Sequence, residues 1–167
     1  MKVIFVLILF FSLIISCQSQ TAEEFFEKGN VKDYLQDYNG AISDYNKAIE
    51  INPNNAEAYY NRGTAKFFLQ DYRGAISDFN KAIEINPDYA KAYNNRGFAK
   101  GSLQDYSGAI SDFNKAIEIN PNNAEAYYNR GFAKINLGQK DSGCLDLSKA
   151  GKLGCSQAYE AIKDFCN

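Results

Sequence analysis

Glycine recurs at Gly29, Gly63, Gly97 and Gly131, and proline at Pro53, Pro87 and Pro121, each time 34 residues apart. A fixed period of this size marks an array in which one supersecondary unit stacks on the next, because no unit can bury its apolar face alone. Each unit reads as two helices. An Ala/Tyr/Asn-rich segment such as Ala56 to Leu69 meets a break at Gln70-Asp71, and a second segment from Tyr72 to Ile85 stops at Asn86-Pro87. Proline ends it, since its ring clashes with the preceding helical turn and biases Asn86 away from helical angles. In the second helix Ala75, Ile76, Phe79, Ala82 and Ile83 form one apolar stripe, while Ser77, Asp78, Asn80, Lys81 and Glu84 face away from it. Gly63 and Ala75 are packing positions where the two helices cross, held there despite the roughly 1 kcal/mol that an interior glycine costs a helix.

These residues carry a resemblance. Tyr59, Gly63, Ala75, Phe79, Ala82 and Pro87 stand where the tetratricopeptide-repeat (TPR) pattern has its aromatic, Gly, Ala, Phe, Ala and Pro, so the chain resembles that family. The resemblance implies an all-α solenoid of antiparallel helix pairs. It covers units 22–55, 56–89 and 90–123 and the first helix of a fourth, 124–139, so that the array occupies 21–139. One departure recurs: where the pattern has a large apolar residue before the glycine and an aromatic three after it, the chain has Arg62/Lys66, Arg96/Lys100 and Arg130/Lys134. Those positions cannot be plain core. The period fades after Leu137, with Lys140, Gly143 and Cys155 replacing the expected aromatic, alanine and proline. Residues 140–167 therefore read as a degenerate second helix plus a capping helix bearing Ala158, Ala161, Ile162 and Phe165, since a solenoid end otherwise leaves an apolar flank in water. This ending resembles that of small TPR proteins of Bacteroidetes-type envelopes.

Residues 1–20 read as a leader and tether. After Lys2, the run Val3 to Ser16 is apolar but for its serines, the layout of a secretory signal. As a helix it spans about 21 Å, short of the ~30 Å hydrocarbon core of a bilayer, which disfavours a permanent membrane span. Ile14-Ile15-Ser16-Cys17 resembles a bacterial lipobox, which implies lipidation of Cys17 and a chain anchored to a membrane of the cell envelope; ordinary cleavage near Ser19-Gln20 would instead release a periplasmic protein.

Composition excludes several functions. The formal charge is −2, with 18 basic and 20 acidic residues, so no basic excess is available for phosphates and nucleic acid is not an expected partner. Histidine is absent, which removes the usual general acid–base near neutral pH and the commonest zinc ligand. Cys144, Cys155 and Cys166 lie eleven apart without a Cys-x-x-Cys pair, so no metal is expected. Neither a catalytic residue, a cofactor nor a small-molecule substrate is expected. If residues 142–153 and 156–166 form a helical hairpin turning near Gly154, Cys144 and Cys166 face each other and pair, leaving Cys155 in the turn; export supplies the oxidising compartment such a bridge needs.

What remains is the groove. In the TPR fold the first helix of each unit lines the concave face, which here implies Phe26, Asn30, Tyr60, Asn61, Thr64, Asn94, Asn95, Phe98, Tyr128, Asn129 and Phe132 as peptide-contacting residues. Asn61, Asn95 and Asn129 recur at one position and resemble an asparagine ladder that grips a peptide backbone, since an amide both donates and accepts. Residues 49–63 and 117–131 are identical, so duplication alone also accounts for the recurrence. Resemblance to the TPRs that clamp a C-terminal carboxylate is partial: Asn30, Asn61 and Lys91 match, but Phe26 and Asn95 stand where that pattern has lysine and arginine. For Arg62, Arg96 and Arg130, pairing with Asp44, Asp78 and Asp112 is the expected role rather than ligand contact. The sequence thus points to a non-catalytic scaffold that binds an extended polypeptide; the alternative is a module that self-associates through its repeat ends, which size-exclusion chromatography distinguishes.

The lipobox resemblance makes one testable expectation. The mature protein should partition into detergent and begin with an acylated Cys17, and Cys17→Ser should release or misprocess it. Intact-mass analysis finding an unmodified N-terminus beyond Cys17 would remove the lipid anchor.

Overall fold

The structure, a computed structural model, describes residues 20–166; the apolar run and Cys17 lie outside them. The described residues form α1 (Ala22–Tyr34), α2 (Tyr38–Ile51), α3 (Ala56–Phe68), α4 (Tyr72–Ile85), α5 (Ala90–Ser102), α6 (Tyr106–Ile119), α7 (Ala124–Asn136), α8 (Lys140–Lys152) and α9 (Gln157–Phe165). The all-α solenoid is therefore present as expected. Its helices pair α1 with α2, α3 with α4, α5 with α6 and α7 with α8, each second helix also packs on the next unit's first helix, and α9 closes the end against α8.

The local chemistry repeats with the units. Asp37, Asp71 and Asp105 cap the second helices by accepting from the backbone N–H of Gly40, Gly74 and Gly108 at 3.0, 2.9 and 2.9 Å. Asn55 and Asn123 cap first helices in the same way, and Thr21 forms a reciprocal capping box with Glu24. Each cap satisfies a helix N–H that would otherwise lack a partner. The turns within units place Gln36, Gln70 and Gln104 at φ of 61°, 62° and 64°, and the fourth turn places Gly138 at 75°. A left-handed residue is thus built into every hairpin, with glutamine accepting a conformation that glycine adopts more easily.

The core is a row of small-against-large contacts. Tyr45, Phe79, Phe113 and Leu147, again 34 apart, are fully buried. A Cβ placed on Gly29, Gly63 or Gly97 would come within 2.5, 2.9 or 2.8 Å of the ring of Tyr45, Phe79 or Phe113. The recurring glycines therefore exist to let a ring lie flat against helix backbone, which fixes how closely the two helices of a unit approach. The fourth unit has lost the ring, and its second helix carries Gly143 in place of the alanine, with backbone of Gly131 close enough to exclude any side chain there.

At the C-terminus Cys144 and Cys166 form a disulfide with Cα atoms 5.8 Å apart, which ties α8 to the end of α9, and Cys155 carries none. The Phe165 ring meets Phe132 edge-on at 5.5 Å, and the Tyr159 hydroxyl donates to the Gly151 carbonyl at 3.2 Å. A nine-residue helix has too little apolar surface to dock firmly by itself, and a crosslink of this kind contributes about 2–4 kcal/mol.

Candidate functional site

The first helices α1, α3, α5 and α7 touch one another in series as well as their own partners, which puts them side by side along the inner wall of the solenoid. On that wall the expected residues divide. Phe26 and Asn94 are buried, 7% and 3% exposed, and offer no free face to a partner. Asn30, Tyr60, Asn61, Thr64, Asn95, Tyr128, Asn129 and Phe132 are half-buried, Phe98 is 47% exposed, and Lys91 is exposed on the first turn of α5.

The recurring asparagines are joined sideways. Asn61 Nδ2 donates to Asn30 Oδ1 at 2.9 Å, and the same oxygen accepts from the Tyr45 hydroxyl at 2.9 Å. Asn95 Nδ2 donates to Tyr60 Oη at 3.0 Å, while Asn129 Nδ2 reaches Asn94 Oδ1 at 3.5 Å. Each bond crosses from one unit's first helix to the preceding one's. These residues are therefore ties between units as well as groove residues, a role the reading of the sequence did not give them. Tyr60 is also packed against Phe79 and Tyr89, with centroids 5.9 and 4.9 Å away, and burial holds its hydroxyl pKa above the ordinary tyrosine value. Thr64 Oγ1 donates to its own helix, to the Tyr60 carbonyl at 3.0 Å.

Between the third and fourth units the wall opens into a cavity of about 390 Å³, lined by Phe98, Gly101, Tyr106, Phe113, Tyr128 and Phe132 among others, with no charged side chain in the lining. One unit earlier a niche of about 210 Å³ is lined by Thr64, Phe67, Phe68, Asn95, Phe98 and Glu125. The position that differs is read off the period: Asp33, Phe67, Gly101 and Ile135 occupy it in units one to four. Reading by repeat consensus passed over it because no common residue stands there; comparing unit against unit finds it. Asp33 Oδ1 is buried without a hydrogen-bond partner, and burial raises the pKa of that carboxyl.

Flanking the wall is a row of charge clusters. Arg62 holds Asp78 by two bonds, Nε to Oδ2 at 2.9 Å and Nη2 to Oδ1 at 2.6 Å, and its Nη1 donates to Asn46 Oδ1 of the preceding unit at 2.7 Å. Lys66 reaches Asp78 Oδ2 at 2.8 Å. The pattern recurs as Arg96, Asp112, Lys100 with Asn80 and as Arg130, Asp146, Lys134 with Asn114. Each arginine thus pairs with the aspartate of its own unit. Asp44 differs from expectation: Lys32 pairs with it at 2.6 Å, because unit one carries Lys28 where the others carry arginine. Asp146 was not singled out in the sequence, although it lies 34 beyond Asp112. The arginines also lie over Tyr59, Tyr93 and Tyr127 at 5.2–5.3 Å, so their planes are packed as well as paired.

Among the described residues no group of three or more acidic, cysteine or histidine side chains could hold a metal ion, and no helix is long and apolar enough to cross a membrane. A family model described as a TPR repeat matches residues 23–69 and 100–138, and two tetratricopeptide-repeat models match 56–89 and 79–111. The chain belongs to the tetratricopeptide-repeat family. These TPR models describe repeats and name no enzyme family. No relative among curated proteins matches the chain. Among solved structures it is similar to MamA, at 27% identity and a TM-score of 0.79 over 89% of this chain and 86% of that one. It is also similar to the first TPR domain of Spaghetti (RPAP3) bound to the HSP90 peptide SRMEEVD, at 36% identity and 0.70 over 72% and 96%. The TPR domain of Arabidopsis OM64 is similar at 34% identity and 0.68 over 69% and 95%.

The clusters of this TPR array are nearly closed to water, with the carboxylate side chains of Asp78 and Asp112 only 5% exposed. Removing one partner therefore leaves buried charge behind. Asp112→Ala is expected to cost about 3–5 kcal/mol by chemical denaturation, because Arg96 and Lys100 lose their counter-ion. A loss under 1 kcal/mol would show the clusters to be surface pairs.

Proposed function

We propose that this TPR chain is a non-catalytic scaffold of a bacterial cell envelope, exported, anchored through lipidated Cys17, and binding an extended peptide or protein segment along its concave wall. One observation carries the reading: successive first helices present half-buried amides Asn61, Asn95 and Asn129 with the rings of exposed Phe98 and half-buried Phe132, in a row free of charge-cluster residues. Each ladder amide uses one hydrogen sideways, and an amide has a second donor hydrogen and an acceptor with which to meet a peptide backbone. Similarity to a TPR domain that holds a peptide supports the class of partner. It does not extend to an acidic C-terminal tail, because Phe26 and Asn95 stand at two cation positions of the carboxylate clamp. The envelope setting is supported by the leader pattern and by the disulfide, which needs an oxidising compartment.

Peptides selected from a random-sequence display library on the full mature chain provide the probe. Changing Asn61, Asn95 and Asn129 together to alanine should weaken their binding by about 1.5–4.5 kcal/mol, at roughly 0.5–1.5 kcal/mol per hydrogen bond, or on the order of ten- to a thousand-fold. The same variant should also melt somewhat lower, since it loses the sideways ties. Tyr60→Phe separates the two effects: it removes the acceptor of Asn95 but leaves Asn95 in the groove, so it should lower the melting temperature and keep the affinity. Unchanged affinity in the triple variant would move the binding surface elsewhere.

A further inference from the structure

The last turn of α5 lacks a ring that its neighbour has. In α3, Phe67 stacks on Phe98 with centroids 5.1 Å apart and 28° between planes, and lies against Tyr72 at 5.2 Å. One period later the two receiving rings are present as Phe132 and Tyr106, and both line the 390 Å³ cavity. The residue that should supply the inserted ring is Gly101. A Cβ on Gly101 would meet only Ala109 Cβ, at 4.0 Å, so the space above this glycine is open rather than filled by a neighbour. The cavity over Gly101 measures about 390 Å³, against about 210 Å³ for the niche that Phe67 lines one unit earlier. The space over Gly101 exceeds the ~150 Å³ in which an apolar cavity holds benzene, so one ring fits.

We infer that this cavity is the specificity pocket of the groove and takes an aromatic side chain of the bound polypeptide, seated against Phe132 and Tyr106 as Phe67 is seated against Phe98 and Tyr72. The inference rests on the concave-wall reading and adds to it the chemistry of one partner residue. The lining carries no charge, so a charged or small polar side chain would lose hydration there without compensation, whereas a ring buries apolar surface and gains offset or edge-on contacts. Asn129 lies in the same lining, where an amide can hold the peptide backbone beside the inserted ring.

The test uses the library-selected peptides on the full mature chain. They should share an aromatic residue whose change to alanine weakens binding roughly ten- to a hundred-fold, the scale set by burying one large apolar side chain. Gly101→Phe should supply the missing ring from within, keep or raise the melting temperature, and weaken the aromatic peptides to the same extent. The alanine peptides should bind it no worse than they bind wild type. Phe132→Ala, which removes a wall of the pocket, should weaken the aromatic peptides too and decides the matter if Gly101→Phe does not fold. Selected peptides with no shared ring, or with affinity unaffected by both variants, would overturn the pocket while leaving the groove as the binding surface. Failure to select any peptide would overturn both.

Discussion

A ring lying against a helix with no side chain under it sets the geometry of the first three units, and Leu147 on Gly131 takes its place in the fourth. Phe79 on Gly63 and Phe113 on Gly97 fix the separation of the two helices in a unit, and Tyr45 on Gly29 does the same with a hydroxyl added. Once that distance is set, the apolar stripe of each second helix meets both its own first helix and the next one, and a continuous core follows from repetition. The left-handed residue in each hairpin, followed in the first three units by an aspartate cap, aims the second helix at this contact.

Around that contact the chain uses charge where its family's general pattern uses apolar bulk. Arg62, Lys66 and Asp78 occupy the space, and the third guanidinium bond to Asn46 extends the cluster into the unit before. A bidentate arginine pair tolerates only a narrow geometry, so it fixes how the two helices of a unit sit, and the single bond to Asn46 carries that constraint into the preceding unit. Its net contribution to stability is smaller than its bonds suggest, because burying the ions costs desolvation. The clusters also use up the recurring arginines. What faces the groove is mainly amides and rings, with Lys91 and Glu125 at helix starts, which suits contact with a polypeptide backbone better than contact with an anion.

Most of the fold was legible because the period repeats the same argument: Gly63, Phe79 and Pro87 each recur, and one unit read correctly places the others. The pairing of Cys144 with Cys166 was legible for a different reason, since a two-helix hairpin about Gly154 leaves them opposite each other. The site was less so. Repetition hides what Asn61, Asn95 and Asn129 bond to, because their acceptors differ: Asn61 bonds to Asn30, whereas Asn95 and Asn129 bond to Tyr60 and Asn94, which share one position of the repeat but not one side chain. Asn94 and Phe26 sit at a groove position by register but are buried, Phe26 in the core beside Tyr45 and Asn94 within its bonds to Asn95 and Asn129, as side-chain size and partner decide and register does not. The cavity over Gly101 arises from a missing side chain, and an absence shows only when the unit is compared with its neighbour.

The central claim is that the inner wall of the array holds an extended polypeptide. A crystal structure of the mature chain with one selected peptide tests it most directly. The account predicts backbone amides of the peptide within hydrogen-bonding distance of Asn61, Asn95 or Asn129, along the row of first helices. A peptide seated instead on the outer second helices, with the inner wall unoccupied, would contradict it.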